Sequence, residues 1–344
     1  MKRRIWTLAV VGGLLASAGT AWAAQQAVQT KAQWQTAIAQ VRQPGRGCYQ
    51  ASYPSLRWHA VKCVTAPRVP FAPASTHRGS TVGAGSDYSA QVSGLISKAT
   101  GTFTDVSSNI TEKGKINNQG PAIANAFSLQ LNSQFFADPP ACAGSSVPAD
   151  CLGWQQFIYA YSASGSGTPN DIFMQYWLVY YDAPCPAGWF TFTSGGTTDC
   201  YANSPAASVS TVTAKKLATL KLTGSAKSHG NDAVSVSVGS GTATSVSNTD
   251  AVTDLASYWK GAEWGVFGDA GGGEAFFGSK NTLEAQTALT TTSSSAKCIK
   301  AGYTEETNNL KFTTTPALGS KPSPTVATRQ TDGTSKTPSC ATAR

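Results

Sequence analysis

Charge is scarce in this 344-residue chain, since Asp, Glu, Lys and Arg together make up 13% of it. This is about half the usual share of a soluble domain, and it excludes a disordered, charge-rich chain. The formal net charge is +8, and it becomes +5 once the three basic residues of the N-terminal targeting segment are removed. The surplus forms no basic run, so we expect no nucleic-acid partner.

The sequence also lacks the short motifs of common hydrolases and nucleotide-binding proteins. It has no Gly-x-Ser-x-Gly elbow, no His-Glu-x-x-His and no phosphate-binding glycine loop. The glycines at 271–273 have no Lys-Ser/Thr pair after them and predict a turn. Only three histidines are present and no two cysteines are two to four residues apart, which disfavours a metal site. A Ser-His-Asp triad stays open, because chain order alone does not exclude one.

The first 23 residues have the features of a secretory signal. Three basic residues precede an apolar stretch over residues 5–22, and Ala21 and Ala23 supply small side chains before the cleavage site. Glycine, serine and threonine dilute this stretch, and no later segment reaches the roughly 18 apolar residues that a membrane span needs. We therefore expect cleavage after Ala23, a secreted or periplasmic protein, and no membrane contact afterwards.

Eight cysteines follow the signal, and an even number in an exported chain predicts four disulfides with no thiol left over. Many pairings are possible, but the layout favours neighbours along the chain. The predicted pairs are Cys48 with Cys63, Cys142 with Cys151, Cys185 with Cys200, and Cys298 with Cys340.

Composition divides the chain into four regions: the signal (1–23), a leader or propeptide (24–80), a β-domain (81–292) and a Ser/Thr/Pro-rich tail (293–344). The leader contains a predicted short helix at 30–42 and the Cys48–Cys63 loop. Pro67, Pro70 and Pro73 then predict an extended linker. The Cys298–Cys340 disulfide is expected to pin the tail.

Alternation of apolar and polar residues predicts strands through residues 87–292. Phe127, Leu129 and Leu131 share one strand face. Residues 172–181 are apolar on both faces, as in a central strand packed on two sides. Within this region only residues 214–218 favour a helix. The predicted fold class is all-β, a two-sheet antiparallel β-sandwich.

The carboxylates are informative because glutamate is rare, with six residues in the chain. Glu263 and Glu274 flank a strand–turn–strand pattern. A glutamate beside Trp264 in so charge-poor a region could face a cleft, where partial burial would raise its pKa and suit acid–base chemistry. The alternative is a solvent-facing glutamate. Glu305 and Glu306 are assigned to the tail.

Twelve of the 33 aromatic residues lie between Trp154 and Phe192, interleaved with glutamines. About half of these rings are expected in the sandwich core. The others, with the amides among them, could line a groove for an extended ligand such as a peptide or a glycan.

Three segments resemble glutamic peptidases. Ala262-Glu263-Trp264 is similar to the Ala-Glu-(Trp/Phe)-x-x-Glu strand of the fungal eqolisins and to the Glu-Trp-Gly-Gly-Glu segment of the plant neprosin family. Residues 127–132 resemble the strand that carries the eqolisin catalytic glutamine, here Gln130, and residues 175–182 resemble an aromatic strand between the two catalytic residues. The segments occur in the family order, and the resemblance covers roughly residues 87–289.

The resemblance implies a lectin-like jelly-roll sandwich with a concave active-site face and an N-terminal propeptide. The implied activity is that of an acid-active endopeptidase, which acts on polypeptides and needs no metal or organic cofactor. The protein is expected to be a monomer. Glu263 or Glu274 would deprotonate the attacking water, and Gln130 would hold that water and then donate to the oxyanion. The residues expected to contact substrate are Gln175, Trp177, Trp154 and Trp264.

The chain departs from the eqolisin motif where the catalytic glutamate should stand, because Phe267 occupies that position. Glu263 and Phe267 would share one strand face about 13 Å apart, at roughly 3.3 Å per residue. In the neprosin-like register Glu263 would be the first glutamate of the pair, and the second would be either replaced by Phe267 or displaced to Glu274. This departure from the family motif is compatible with a shifted active site and with a loss of catalysis. The second hypothesis is therefore a non-catalytic sandwich that binds glycan or a cell-surface polymer through its aromatic face.

The leader is wholly basic, because no Asp or Glu occurs between residue 24 and Asp87. Its basic residues include Lys31, Arg42, Arg46, Arg57, Lys62 and Arg68. One hypothesis is that carboxylates of the β-domain hold the leader in the groove near neutral pH and release it as they protonate between about pH 5 and 3. The alternative is that the Cys48–Cys63 loop caps one end of the sandwich and stays attached.

Overall fold

The computed structural model describes residues 30–74, 82–137, 139–161, 170–239, 241–333 and 340. The strands, in chain order, are β1 (Gly47–Ser52), β2 (His59–Val61), β3 (Val82–Gly83), β4 (Tyr88–Gln91), β5 (Ile96–Val106), β6 (Glu112–Ile116), β7 (Gln119–Ala124), β8 (Phe127–Ser133), β9 (Phe136–Ala137), β10 (Leu152–Tyr161), β11 (Asn170–Val179), β12 (Phe190–Ser194), β13 (Thr197–Asn203), β14 (Ala207–Ser208), β15 (Lys221–Ser225), β16 (Asn231–Val238), β17 (Thr242–Thr249), β18 (Gly261–Gly268), β19 (Glu274–Phe277), β20 (Thr282–Thr291), β21 (Lys297–Lys300), β22 (Thr307–Asn308), β23 (Lys311–Phe312), β24 (Ala317–Gly319) and β25 (Thr325–Thr331). The helices are α1 (Lys31–Ile38), α2 (Leu255–Tyr258) and three 3₁₀ turns (Pro140–Gly144, Ala214–Thr219 and Asp250–Val252).

Two large antiparallel sheets form the sandwich. The first has the order β2-β1-β17-β16-β15-β5-β20-β25-β23, with β24 also paired to β25. The second has the order β12-β13-β11-β10-β8-β18-β4-β21, with β14 on β11 and β9 on β10. This confirms the predicted all-β sandwich. A small third sheet, β3-β22-β19-β6-β7, contains the parallel pair β19–β22 and was not predicted.

The main core lies between the two large sheets, because their strands alternate as the sequence predicts. Phe127, Leu129 and Leu131 of β8 are fully buried on its inner face. Trp264 of β18 crosses to the first sheet, where its ring lies 5.1 Å from that of Phe103 on β5. Burial of such large apolar side chains is the dominant stabilising contribution.

The second sheet is buried on its other side as well, which we call its outer face. β11 has no exposed residue, which confirms the predicted two-sided burial for residues 172–179, but the strand ends at Val179 and Tyr180, predicted to belong to it, is exposed. Two extended segments cover this face: residues 64–74, which we call the strap, and residues 301–306. The linker predicted from its prolines is therefore extended, and it lies on the sheet.

The leader and the tail both contribute to the sheets. The predicted helix at 30–42 is α1, which begins at a capping box between Thr30 and Gln33. The Cys48–Cys63 hairpin joins the first sheet through β1 and β17. In the tail, β21 pairs with β4, and β25 pairs with β20. The sandwich thus continues past residue 292, the predicted end of the β-domain.

All four predicted disulfides are present: Cys48–Cys63, Cys142–Cys151, Cys185–Cys200 and Cys298–Cys340. The glycines at 271–273 form a turn as predicted, and the helical signal at 214–218 corresponds to a 3₁₀ turn. The predicted signal lies outside the described residues. No helix in the described part of the chain has the length and apolar character of a membrane span.

Candidate functional site

The register of the second sheet brings amide and carboxyl side chains together on the outer face. Asn132 lies opposite Glu263 on β18 and opposite Gln156 on β10. Gln156 in turn lies opposite Gln175 on β11. Residues that oppose each other in a ladder share a face, and Gln130 shares it because it lies two positions before Asn132. All five side chains are essentially buried.

The hydrogen-bond network fixes the orientation of the Gln130 amide. Its Oε1 accepts from Asn132 Nδ2 at 3.3 Å and from Gln156 Nε2 at 3.0 Å. Its Nε2 therefore points the other way, donating to Ser128 Oγ at 3.0 Å and to Glu306 Oε2 at 3.3 Å. The amide thus presents one N–H to the Ser128 hydroxyl and one to a carboxyl group.

Glu306 is the carboxyl that faces Gln130, and it was not among the predicted catalytic residues. Its Oε1 accepts from the backbone N–H groups of Ala72 and Gly272, each at 3.3 Å. Its Oε2 accepts from Gln130 and from the hydroxyl of Thr304. Burial raises the pKa of Glu306 to about 7, although the hydrogen bonds it accepts act in the opposite direction.

A weak sequence signal for Glu306 existed. Glu305 and Glu306 are adjacent, and neighbouring residues of an extended segment point to opposite sides, so one of the two could face inward. Glu306 is fully buried and Glu305 is half-buried. Their Ser/Thr/Pro-rich surroundings gave no sign that this segment lies on the sheet.

Glu263 is buried beside a second carboxyl, Asp87. Its Oε2 accepts from Asn132 Nδ2 at 2.8 Å and from the backbone N–H of Tyr303 at 3.0 Å. The charge of Asp87 disfavours ionisation of Glu263, and Glu263 Oε1 and Asp87 Oδ2 have no hydrogen-bond partner in the described part of the chain. Burial, reinforced by the charge of Asp87, raises the pKa of Glu263 well above its ordinary value, and burial raises the pKa of Asp87 to about 6. Asn132 connects this pair to Gln130.

Two more buried carboxyls continue the cluster beyond Glu306. Asp269 accepts from the backbone N–H of Tyr161 at 2.9 Å, and its pKa is raised well above the ordinary value by burial and by the charge of Glu306. Burial and the charge of Asp269 raise the pKa of Glu112 to about 8. We call the five buried groups the carboxyl row: Asp87, Glu263, Glu306, Asp269 and Glu112.

Three of the four predicted substrate-binding residues lie under the strap. Gln175 Oε1 accepts from the backbone N–H of Phe71 at 2.8 Å, and its Nε2 donates to the carbonyl of Val69 at 3.0 Å. Trp177 Nε1 donates to Gln175 Oε1 at 3.1 Å. The ring of Trp154 lies 6.1 Å from that of Trp177, and both rings are fully buried.

The other predicted residues lie elsewhere. Trp264 is in the core between the sheets, where its Nε1 donates to the carbonyl of Thr102, so it has no side toward the outer face. Glu274 is half-buried at the start of β19, and no described hydrogen bond joins it to Gln130. Phe267 is fully buried on the strand face of Glu263, as its spacing predicts, and brings no carboxyl there.

The strap crosses the site as an extended peptide, in the manner of a strand added to a sheet edge. Nearly all of its polar contacts are made by its backbone. In strap order these contacts are Val64 with Ala206, the Pro67 carbonyl with Asn203, the Val69 carbonyl and Phe71 N–H with Gln175, the Pro70 carbonyl with the Gly271 N–H, the Ala72 N–H with Glu306, the Ala72 carbonyl with the Glu305 N–H, and the Ala74 N–H with the Tyr303 carbonyl.

The predicted ionic attachment of the leader is not found. The single ion pair between described residues joins Arg329 to Asp105, neither of which belongs to the leader. Arg68 of the strap lies over the ring of Phe190, at 5.5 Å from its centroid, which is cation–π geometry. Backbone hydrogen bonds and apolar contacts therefore hold the strap, so acid does not release it by breaking ion pairs.

The assembled groups can exchange protons and donate hydrogen bonds. Within the described ranges, no cluster of three or more His, Cys, Asp or Glu residues is placed to hold a metal ion.

Comparisons of the chain with models of known protein families, with curated proteins and with solved structures each gave no match.

Proposed function

We propose that this protein is a secreted, acid-acting endopeptidase of the glutamic type, with Glu306 and Gln130 as its catalytic residues. One observation carries the proposal: the Glu306 carboxyl and the Gln130 amide touch at 3.3 Å beneath an extended peptide, and the backbone N–H of Ala72 contacts the same carboxyl. The four disulfides agree with export, since they are typical of oxidising compartments.

The geometry suits peptide hydrolysis by one carboxyl and one amide. Ionised Glu306 would take a proton from water as the water oxygen attacks the carbonyl carbon. The N–H of Gln130 would stabilise the oxyanion that develops. Protonated Glu306 would then deliver its proton to the leaving nitrogen, and the position of the Ala72 nitrogen on Glu306 Oε1 supports this last step.

The Glu263–Asp87 pair has a supporting role in this proposal. Asn132 Nδ2 donates both to Glu263 and to Gln130, so the pair helps to hold the amide in its productive orientation. The sequence predicted that Glu263 or Glu274 deprotonates the attacking water. In this proposal Glu306 is the general base instead.

The strap makes the described state a latent one. Four donors occupy the carboxyl oxygens of Glu306, and the site has no place for an attacking water unless the N–H of Ala72 leaves. Removal of the strap would hydrate Glu306 and lower its pKa toward the ordinary range, because burial is the largest cause of the rise. The strap would thus act as the inhibitory segment of the leader, whose β1 and β2 remain part of the first sheet.

The test compares two neighbouring glutamates. Wild-type protein, Glu306→Gln and Glu305→Gln are each nicked with trypsin at the exposed Arg68 of the strap, the trypsin is blocked, and denatured casein is then added at pH 3–5 with pepstatin and a chelator. We expect the wild type to cleave, Glu306→Gln to lose activity by about 100-fold or more, and the half-buried Glu305→Gln to stay close to wild type.

Absence of cleavage by the wild type, or equal activity of Glu306→Gln and wild type, would refute the assignment. The alternative of glycan binding gains no support from the outer face, because Trp154 and Trp177 are fully buried under the strap. A glycan array remains the measurement for that hypothesis.

A further inference from the structure

Phe71 is the largest side chain of the strap, and it is fully buried in an apolar pocket on the outer face. Its ring lies 6.0 Å from that of Phe173. Ala66 of the strap itself belongs to the same cluster, and the buried residues that form the pocket are Ile158, Ala160, Phe173, Ala206 and Ala270. This cluster is separate from the main core between the sheets.

The pocket lies immediately beside the carboxyl–amide pair. The backbone N–H of Phe71 is bound by Gln175, and the next N–H along the chain, that of Ala72, is bound by Glu306. The peptide bond between Phe71 and Ala72 therefore lies at Glu306. Phe71 supplies the carbonyl of that bond, and Ala72 supplies its nitrogen.

From this geometry, and resting on the proposed peptidase function, we propose that the enzyme cleaves polypeptides after a large apolar residue whose side chain enters the pocket of Phe71. In this reaction water adds its oxygen to the carbonyl carbon of the apolar residue, and the carbon–nitrogen bond breaks. One proton of the water passes through Glu306 to the released nitrogen, which leaves a new carboxyl terminus and a new amino terminus.

The backbone contacts bind any extended peptide, so specificity must come from side-chain pockets. Near the carboxyl–amide pair the strap uses the N–H groups of Phe71, Ala72 and Ala74, and its prolines fall at positions where no N–H is needed. Ala72, which follows the bond, is packed among a separate cluster of large rings on the same face. The site thus favours a large apolar residue before the bond and a small residue after it.

The first experiment reads the preference directly. Full-length protein, nicked in the strap in the same way, digests a library of peptides from denatured proteins at pH 4, and mass spectrometry identifies the new termini. We expect Phe, Leu, Met and similar residues before the cleaved bond to be favoured over Ala by about tenfold or more, the effect of a few buried methylenes. The variant Ala160→Phe, which fills the pocket from its wall, should shift the preference toward small residues.

A second experiment covers the case in which Ala160→Phe does not fold. A synthetic nonapeptide with the sequence of residues 66–74, Ala-Pro-Arg-Val-Pro-Phe-Ala-Pro-Ala, contains the bond to be cut and is added to the nicked wild type as a competitor of the peptide substrate. Replacement of its Phe by Ala should weaken inhibition by about 10- to 100-fold, as loss of a buried aromatic side chain predicts. Replacement of its Val, which is only half-buried at position 69, should change inhibition much less.

The outcomes separate the two proposals. If the wild type cleaves no peptide, the proposed function fails, and this inference fails with it. If the wild type cleaves peptides without preference for a large apolar residue, or if the Phe-to-Ala peptide inhibits as well as the parent, the pocket assignment is overturned while the peptidase stands.

Discussion

Glu306 and Glu263 are both buried on the outer face, yet their neighbours give them different properties. Glu306 accepts hydrogen bonds from four donors, which favour its ionised form and offset part of the cost of burial. Glu263 faces another carboxyl, Asp87, and the two groups cannot both ionise at low cost. Divergent pKa values in neighbouring carboxyls are characteristic of acid–base sites, and the difference supports the proposal that Glu306, rather than Glu263, transfers the proton.

The amide of Gln130 has a role that can be tested separately from that of the carboxyl. Its oxygen accepts hydrogen bonds from Asn132 and Gln156, so its nitrogen is turned toward Glu306 and Ser128. In Gln130→Leu we expect kcat to fall by about 100-fold or more with a smaller change in KM, because a donor to the oxyanion is lost. Steady-state kinetics on a peptide substrate measure this, with thermal unfolding to verify the fold. An unchanged kcat in a folded variant would exclude Gln130 from the reaction.

Strand β18 contributes to both the candidate site and the core. One of its faces belongs to the candidate site, and the other face packs in the core between the sheets. Glu263 lies on the outer face, while Trp264 packs against β5 of the first sheet. Gly101 of β5 makes this packing possible, since a Cβ there would lie 2.1 Å from the ring of Trp264. Close approach of the two strands therefore depends on a missing side chain.

We expect Gly101→Ala to destabilise the protein by about 1–3 kcal/mol, because the tryptophan ring must shift within a packed core. Denaturant unfolding measures the change in the free energy of unfolding. Gly45→Ala is the matched control, since a Cβ there meets only the hydroxyl of Tyr49 at 3.7 Å. Equal stability of the two variants would contradict this account of the packing.

For the protein as a whole, the carboxyl row makes folding depend on pH in an unusual direction. The pKa values of its members are raised in the folded state, to about 6 for Asp87, about 7 for Glu306 and about 8 for Glu112. Unfolded carboxyls titrate near pH 4. The folded protein therefore binds more protons than the unfolded chain between these limits, and its stability falls as pH rises.

We expect the free energy of unfolding to be highest near pH 4 and to decrease up to about pH 8. Each extra proton held by the folded state contributes a slope of about 1.4 kcal/mol per pH unit. Glu112→Gln should reduce this slope, most visibly between about pH 5 and 8, so that the variant gains stability relative to wild type as pH rises. Denaturant unfolding at several pH values provides the measurement. A wild type that is more stable at pH 8 than at pH 4 would show that the row is not held protonated.

Features that depend on local pattern could be predicted from the amino-acid sequence. Period-two alternation specifies which residues face the core, so the sandwich, β8 and the two-sided burial of β11 follow from it. Short separations between three of the cysteine pairs favoured the correct disulfides. Prolines at 67, 70 and 73 were enough to predict an extended strap from the sequence, because proline disfavours helix.

Which side chains meet depends instead on long-range packing. Gln130 and Glu306 are 176 residues apart, and no local pattern connects them; the pairing of β8 with β18 and the path of residues 301–306 over the outer face bring them together. The same packing places Trp264 in the core and leaves Glu274 away from Gln130. Alternation specifies that a residue faces one side of its strand, but which segment covers that side depends on the whole fold.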